Sequence, residues 1–341
     1  MTETYAHPVC PELRRRLTRI AYRMLGSVAD AEDVVQEAWL RWLASDRQSV
    51  HEPEAFLRTI VTRLCLNELK SARRQRETYI GPWLPEPIFD PGTGGAIDDI
   101  TLPLMIALER LSPLERAAFL LHDVFGMSFD EVSKAIGRKA VTCRKLASRA
   151  RIQIHKAGPR FSASQEHGLK LAAAFFTASR SGDMSGLRSL LAEDIVIYAD
   201  GGGQVPASRA PAVGLAAATK LFGALARYFA RSPSRLIRYL AIDGLPGFIT
   251  IEDGDIVQTT ALLPRNDRIV AIYVTRNPQK LKHLRHSGAS PLVSSLSGGL
   301  PRRRTALDEV HDLVAEPGSS SHSRNTSPAG LPVGNTGALR S

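Results

Sequence analysis

The chain has 341 residues, a net charge of +10 and 43% hydrophobic residues. This length predicts about two or three domains, and the hydrophobic content excludes a chain that is disordered throughout. The three cysteines lie far apart and predict neither a disulfide framework nor a cysteine metal site. No apolar run approaches the ~18 residues of a membrane span, and the first residues lack the apolar core of a secretion signal. We therefore expect a cytoplasmic protein without a membrane contact, metal or cofactor.

The first part of the chain predicts helices. Ser27-Val-Ala-Asp30 has the form of a helix N-terminus, and apolar residues then recur at helical spacing. Pro53 suits the first position of the next helix, whose apolar stripe continues to Leu69 and is followed by arginines. The residues predicted to lie in the core of the earlier helix are Val34, Val35, Ala38 and either Leu40 or Leu43.

Residues 77–102 are rich in proline and glycine, which predicts a linker. Within it lies Trp83-Leu-Pro-Glu-Pro87, an aromatic residue in an extended segment stiffened by prolines. A bare linker has little use for a tryptophan. Trp83 therefore indicates packing on a neighbouring domain, with a local apolar cluster as the alternative.

Two short helices separated by a glycine follow the linker. Ser112-Pro-Leu-Glu115 and Ser128-Phe-Asp-Glu131 both have the sequence of a capping box. Gly137 ends the second helix, and a basic helix follows at about 139–156. This order is typical of a helix-turn-helix and indicates DNA binding.

The pattern changes again after residue 165. Helices are predicted at 165–181, 184–192 and 214–230, and Asp253-Gly254-Asp255 and Asn266-Asp267 are predicted turns. Helices before a mostly antiparallel sheet indicate an α+β domain. The predicted strands are Asp194–Tyr198, Arg235–Ile242, Phe248–Glu252, Ile256–Leu263 and Ile269–Thr275.

These elements are united by a resemblance to a known family. Residues 14–79 resemble region 2 of bacterial sigma factors, and residues 111–155 resemble region 4. The Trp83–Pro87 segment, Asp200-Gly201-Gly202-Gly203 and Asn277-Pro-Gln-Lys-Leu281 are similar to motifs of group 41 of the extracytoplasmic-function class. Members of this group carry a SnoaL-like C-terminal domain.

The resemblance implies a multidomain fold. Two all-α sigma domains, a region 2 helical bundle at 8–76 and a region 4 helix-turn-helix at 103–158, are joined by the linker at 77–102. An α+β SnoaL-like (NTF2-like) cone domain follows at 165–281, and residues 285–341 are expected to form a disordered tail. The implied function is an alternative sigma factor, which binds core RNA polymerase at the β′ clamp helices and the β flap. It directs recognition of promoter DNA and is regulated in cis by its C-terminal domain.

Three groups of residues are candidates for contacts with polymerase and DNA. The family implies a polymerase surface on the second helix, made by Asp30, Glu32, Asp33, Glu37, Trp39 and Trp42. Opening a −10 element needs basic side chains for the phosphates, and the candidates are Arg58, Arg63, Asn67, Lys70, Arg73 and Arg74. The start of the basic helix should reach the major groove of the −35 element, and the candidates are Arg138, Lys139, Thr142, Arg144, Lys145 and Arg149. For any single arginine, a solvated helix face is the alternative.

A fourth group is expected at an interface between domains. Three glycines after Asp200 suit a tight turn that another backbone can approach closely, and the stiff linker offers an aromatic ring. We therefore predict that the linker docks on this turn. The residues involved are Trp83, Pro85, Pro87, Asp200, Gly201, Gly202 and Gly203.

Two other functions are compatible with parts of the sequence. The first is an ordinary helix-turn-helix regulator, which would have no need of the acidic and aromatic second helix. The second is an isomerase-like enzyme fused to DNA-binding domains, with Asp200 and Tyr198 as the acid–base pair. We expect no catalysis, because a fold by itself does not imply activity. Whether the C-terminal domain holds a small-molecule ligand is left open.

Overall fold

The structure, a computed structural model, describes residues 11–77, 79–89, 101–155, 165–282 and 284. Cys10 and the predicted tail at 285–341 lie outside these residues. The helices within them are α1 (Pro11–Leu25), α2 (Val28–Ala44), α3 (Pro53–Glu77), α4 (Leu102–Leu108), α5 (Pro113–Phe119), α6 (Phe129–Ile136), α7 (Ala140–His155), α8 (Gln165–Ser181), α9 (Met184–Leu190) and α10 (Leu215–Phe229). The strands are β1 (Leu191–Asp200), β2 (Ala212–Val213), β3 (Arg235–Ile242), β4 (Leu245–Glu252), β5 (Ile256–Arg265) and β6 (Arg268–Thr275).

Helices α1, α2 and α3 form the first helical domain. The Ser27 side chain caps α2 by accepting a hydrogen bond from the Asp30 amide. Trp42 is buried one turn beyond Ala38 and packs on Phe56, with ring centroids 5.7 Å apart. The prediction of a core position for Leu40 or Leu43 is wrong, because both are more than half exposed. They lie on the face of α2 turned away from its apolar stripe.

Helices α4 to α7 form the second helical domain. Both predicted capping boxes are present, at Ser112–Glu115 and Ser128–Glu131. Gly137 ends α6 in the left-handed conformation, with φ of 66°, and the basic helix α7 follows. Helix α5 continues into one π-helical turn at Leu120–Val124, which the sequence did not predict.

The two helical domains share one hydrophobic core. Helix α3 of the first domain packs against α5 and α6 of the second. Arg116 of α5 is fully buried in this core and forms an ion pair with Glu109, 2.6 Å away. Burial lowers the pKa of Arg116 to about 9. The sequence predicted two helical units, and the structure joins them into one packed body.

The C-terminal domain is a six-stranded mixed sheet with helices on one face. The strand order is β2-β1-β6-β5-β4-β3, in which β1 runs parallel to β6 and the other neighbouring pairs are antiparallel. Helices α8 and α10 cover one face and form a core with Phe175, Phe222 and Phe248. The other face carries a second core, which includes Leu84 of the linker and Leu102 of α4.

Two strands begin earlier than predicted. The first strand starts at Leu191 rather than Asp194, and β4 starts at Leu245 rather than Phe248. The two-residue strand β2 was not predicted, because two residues cannot show an alternating pattern. In β1 the alternation turns Ile197 and the residues two apart from it toward the helices, and Tyr198 and Asp200 toward the linker. Among the described residues, no helix combines the length and hydropathy that crossing a bilayer requires.

Candidate functional site

The linker lies between the first helical domain and the C-terminal sheet. Its prolines favour an extended backbone, and residues 81–88 form neither helix nor strand. Leu84, Pro85 and Pro87 are buried, whereas Trp83 is half-buried. Phe89 forms an isolated antiparallel bridge to Ile242 on the edge strand β3. The linker is thus docked along its described length.

Asp200 is the centre of this docking. Its carboxylate is fully buried, and Oδ1 accepts hydrogen bonds from the Tyr79 hydroxyl (2.5 Å) and the Gly202 amide (3.0 Å). Oδ2 accepts from the Leu84 amide (2.9 Å) and from Nζ of Lys280 (2.7 Å). A buried charge is tolerated only when it is paired and hydrogen-bonded. The linker therefore supplies two of the four donors that make the burial of Asp200 possible.

Trp83 packs between two domains. A Cβ added to Gly26, at the end of α1, would lie 2.6 Å from Cη2 of Trp83, so the ring rests directly on the glycine backbone. Nζ of Lys280 lies 4.1 Å from the Trp83 ring, a distance at which a cation–π interaction is favourable. Lys280 also donates a hydrogen bond to the Leu84 carbonyl.

The glycine turn after Asp200 is closely packed. A Cβ on Gly202 would lie 2.3 Å from the Asn277 side chain, and one on Gly203 would lie 2.9 Å from Ile80. Both glycines have positive φ, 62° and 69°. Asn277 in turn donates a hydrogen bond to the Tyr79 hydroxyl, 2.8 Å away. The structure therefore brings the linker and the Asp200–Gly203 turn into contact.

A second polar cluster anchors the far end of the linker. The Glu86 carboxylate accepts hydrogen bonds from the Ser27 hydroxyl (3.0 Å) and the Val28 amide (2.7 Å) at the N-terminus of α2, where a negative charge is favourable. The Tyr22 hydroxyl lies 2.7 Å from the Glu86 carbonyl and 3.1 Å from the Asp243 carboxylate. Asp243 also accepts from the Ile88 amide at 3.3 Å. Its burial raises its pKa to about 6.

The polar side chains of these clusters that were not predicted as site residues include Tyr22, Tyr79, Glu86, Asp243, Asn277 and Lys280. Glu86 and Lys280 lie inside the two quoted motifs, so the motifs themselves were the available signal. Asp243-Gly244 is an Asp-Gly turn between two strands, with φ of 46° and 73°, and this dipeptide is a strong hairpin signal. Tyr22 and Tyr79 carry no sequence signal, because only the fold brings them to the linker.

The candidates for the −10 element lie on α3, and two of them contact the second helical domain. Nη2 of Arg58 lies 3.2 Å from Oε1 of Glu131 on α6, and Arg63 donates to the Lys134 carbonyl at 3.1 Å. Asn67 and Lys70 are exposed. Arg73 and Arg74 belong to α3, but their side chains are outside the described part of the chain.

The other candidates lie mostly on the surface. All six for the −35 element are exposed, namely Arg138, Lys139, Thr142, Arg144, Lys145 and Arg149. In the polymerase group, Asp30, Glu32 and Asp33 are exposed, while Glu37 and Trp39 are half-buried. The assignment of Trp42 to this surface is wrong, because its side chain is 4% exposed and belongs to the core.

The C-terminal domain encloses a cavity of about 110 Å³ between the sheet and α10. Ile197 and Ala199 of β1 line it, whereas Tyr198 and Asp200 point to the opposite face of the sheet. The two residues suggested for acid–base chemistry therefore do not lie in the cavity.

Among the described residues, no group of three or more His, Cys, Asp or Glu side chains is placed to hold a metal ion.

Comparison with known proteins agrees with this architecture. Residues 12–75 match sigma-70 region 2, and residues 102–154 match sigma-70 region 4. The chain is 36% identical over 290 residues to the ECF RNA polymerase sigma factor SigJ of Mycobacterium tuberculosis, which covers 79% of this chain and 90% of the relative. It is 30% identical over 293 residues to the probable ECF RNA polymerase sigma factor SigI of the same species, covering 84% and 95%.

The same relationship holds at the level of structure. The crystal structure of the Mycobacterium tuberculosis SigJ protein superposes with a TM-score of 0.64 and 32% identity, covering 80% of this chain and 96% of that one. The expected fold class, two helical sigma domains before an α+β domain, is therefore confirmed. A plain helix-turn-helix regulator is not favoured, because the similarity extends over region 2 and the C-terminal domain as well. The chain belongs to the extracytoplasmic-function family of RNA polymerase sigma factors.

Proposed function

We propose that this sigma factor, which directs core RNA polymerase to promoters, is held in a closed state by its own C-terminal domain. The observation that carries the proposal is the contact between the DNA-binding helix of region 2 and region 4. Arg58 and Arg63 are candidates for promoter phosphates, yet their guanidinium groups bind Glu131 and the Lys134 carbonyl. In the closed state these two side chains are occupied before DNA arrives.

The docked linker keeps the two sigma regions together. Its carboxylate Glu86 binds the start of α2 in region 2, and its backbone at Leu84 binds Asp200 in the C-terminal domain. At the end of the linker, where α4 begins, the Leu102 amide donates to the Asp243 carbonyl at 3.1 Å. All three parts of the chain are thus connected through residues 84–89, Leu102 and the sheet. Release of the linker would allow regions 2 and 4 to separate.

Other binding surfaces stay accessible in the closed state. The acidic residues Asp30, Glu32 and Asp33 of α2 are exposed, and the apolar side chains of Leu40 and Leu43 lie exposed on the same helix. This combination suits a first contact with the β′ clamp helices. The basic side chains at the start of α7 are exposed as well and suit the −35 element. We further propose that region 4 docks on the β flap, and that the protein acts in the cytoplasm with the polymerase.

The experiment compares core-polymerase binding and transcription for the full-length chain and two linker-release variants. Asp200→Ala removes the acceptor for Tyr79, Leu84 and Lys280, and Glu86→Ala removes the anchor on α2. Both should raise the affinity for core polymerase several-fold and increase the distance between labels on α3 and α6. Glu166→Ala, an exposed position of the C-terminal domain with 81% side-chain exposure, is the matched control. Unchanged affinity and unchanged distance in both variants would contradict the closed state.

A further inference from the structure

The cavity of the C-terminal domain has an apolar body and a polar end. Aromatic and aliphatic side chains of α8 and α10, among them Phe175, Phe222 and Leu221, form one wall, and apolar side chains of the sheet, among them Ile197 and Ile272, form the opposite one. At the other end Arg180, Glu252 and Arg276 reach the cavity. This division, a mostly apolar pocket with a few convergent polar groups, is typical of small-molecule sites.

The polar end contains buried groups with unused hydrogen-bonding capacity. Glu252 is 2% exposed, and its Oε1 accepts hydrogen bonds from Arg180, Ser234 and Thr250 at 2.7–3.1 Å. Its second oxygen, Oε2, accepts none from the described part of the chain, and Nε of Arg180 and Nε of Arg276 donate none there. Buried polar atoms without partners are costly. A molecule that offers both a donor and an acceptor would satisfy them.

The charges of the polar end select an uncharged molecule. Arg180 is paired with Glu252 at 3.1 Å, and Arg276 is paired with Asp253 at 3.2 Å. The two positive and two negative charges balance, so neither an anion nor a cation gains a net attraction on entering. Arg180 also lies 4.1 Å from the Phe229 ring, where it occupies the face that a ligand cation would use. A hydroxyl group suits this end of the cavity, because it can donate to a carboxylate such as that of Glu252 and accept from a guanidinium such as that of Arg180 or Arg276.

We propose that this cavity binds a neutral, mainly apolar small molecule with a hydroxyl group, such as a phenol or a short alcohol, whose hydroxyl donates to Glu252 and accepts from Arg180 or Arg276. The regulatory part of this inference rests on the closed state proposed above, whereas the binding site itself does not.

One wall of the cavity is also the wall on which the linker docks. Pro206 and Ser208 line the cavity, and Nη1 of Arg276 holds the Pro206 carbonyl at 3.0 Å. The Arg276 amide donates to the Asp200 carbonyl at 2.8 Å. A Cβ on Gly81 of the linker would lie 3.4 Å from the Ser208 carbonyl. The loop after Asp200 therefore faces the cavity on one side and the linker on the other.

The shared loop is expected to couple ligand binding in the cavity to docking of the linker. The loop at residues 206–208 contributes to the cavity and is held by the linker, so we expect a ligand to bind the linker-docked state more tightly and thereby to stabilise it. Because such coupling is reciprocal, undocking of the linker must weaken the binding of the ligand. The ligand is therefore expected to keep the sigma factor closed and to lower its affinity for core polymerase.

The test uses the full-length protein and four probes that share one apolar body. They are 4-ethylphenol, 4-ethylbenzoate, 4-ethylbenzylamine and ethylbenzene, and binding is measured by titration calorimetry and ligand-observed NMR. We expect saturable binding that is strongest for 4-ethylphenol. Tighter binding of the anion or the amine, or equal binding of ethylbenzene, would overturn the proposed chemical class. No binding of any of the four would overturn the site.

Variants locate the binding in the cavity. Glu252→Gln keeps the shape but replaces the accepting oxygen with a donor, and we expect about tenfold weaker binding of 4-ethylphenol. Leu221→Trp fills the cavity from α10 and should abolish binding. Val213→Ala, at an exposed position of the same sheet, is the control and should bind as the wild type does. Equal affinity in all three variants would show that the probe binds elsewhere and would overturn the site.

A last pair of measurements separates this inference from the closed state. Tyr79→Phe weakens the linker contact without touching the cavity, so 4-ethylphenol should bind it about threefold more weakly, and core polymerase should bind it more tightly. Unchanged probe affinity with altered polymerase affinity would overturn the coupling and leave the closed state standing. If instead the probe binds while the linker variants leave polymerase affinity unchanged, the closed state fails and the cavity site stands.

Discussion

Nζ of Lys280 lies 2.7 Å from Oδ2 of Asp200, and both side chains are at least nine-tenths buried. Both residues also contact the docked linker, since Asp200 accepts from the Leu84 amide and Lys280 lies over the Trp83 ring. This ion pair lies at the contact between the linker and the C-terminal domain. Substitution of either residue is therefore the most direct test of the docking.

Removing one member of this pair should destabilise the C-terminal domain strongly. Lys280→Met or Asp200→Asn leaves the other residue buried without its partner, which typically costs about 3–5 kcal/mol. The double variant should lose clearly less than the sum of the two single losses. Urea denaturation of the four proteins gives the free energies of unfolding. Additive losses would mean that the two side chains do not act as a pair.

The contact of Trp83 with Gly26 can be tested with one added methyl group. Gly26→Ala places a Cβ 2.6 Å from the indole, and it also strains a backbone with φ of 73°. Gly126→Ala has the same backbone strain, with φ of 67°, but no neighbour within 4 Å. Strain alone costs about 1–2 kcal/mol in both variants. Only Gly26→Ala should displace Trp83 and change the tryptophan emission, and equal spectra would argue against this packing.

Docking of the linker should depend on pH through Asp243. Burial raises the pKa of this carboxyl group to about 6, above its value in an unfolded chain. The folded state therefore holds the proton more tightly, and its stability falls as the pH rises from about 4 to about 6. Acidification from about pH 7.5 to about pH 5 should strengthen the docking by about 1–2 kcal/mol. Asp243→Asn should remove this part of the dependence, measured as the difference between the two denaturation profiles.

The polymerase surface on α2 predicts an effect of charge reversal. Asp33→Lys and Glu37→Lys should each weaken binding to core polymerase several-fold without changing the melting temperature by more than a few degrees, because both residues lie outside the core. Glu12→Lys on α1, with a side chain that is 64% exposed, controls for the change in net charge. A binding titration that gives the same affinity for all four proteins would remove α2 from the interface.

Recognition of the −35 element is expected to depend on Arg144. Its guanidinium lies 5.4 Å from the Phe129 ring, and the side chain is exposed on α7. Arg144→Ala should cost about 1–3 kcal/mol of discrimination between promoter variants if it contacts a base edge. Arg149→Ala, one turn farther along the helix, should weaken all promoters alike. Uniform weakening by Arg144→Ala would make it a phosphate contact.

Most elements of the fold were predicted from local sequence patterns. Both capping boxes, the helical stripes and the turn at Asn266-Asp267 are short-range signals, and each is present in the structure. The wrong predictions concern three side chains near the end of α2. Leu40 and Leu43 are apolar but lie off the stripe, whereas Trp42 lies on it. A helix buries one face rather than every apolar residue, so hydrophobicity alone misplaced Leu40 and Leu43, whereas the family resemblance placed Trp42 on the polymerase surface.

The sequence by itself was enough to predict the two sigma regions, the α+β domain and the contact between the Trp83 linker and the turn after Asp200. The sigma regions rest on the family resemblance, the α+β domain rests on local periodicity and turn signals, and the linker contact rests on the aromatic ring and the glycine run. Only the tertiary structure decided that Arg58 faces Glu131, that Tyr79 and Lys280 share one carboxylate, and that the cavity lies on the side of the sheet away from Tyr198. Such contacts join residues 73 to 121 positions apart. No local pattern records them, because they depend on how separately folded elements pack against one another.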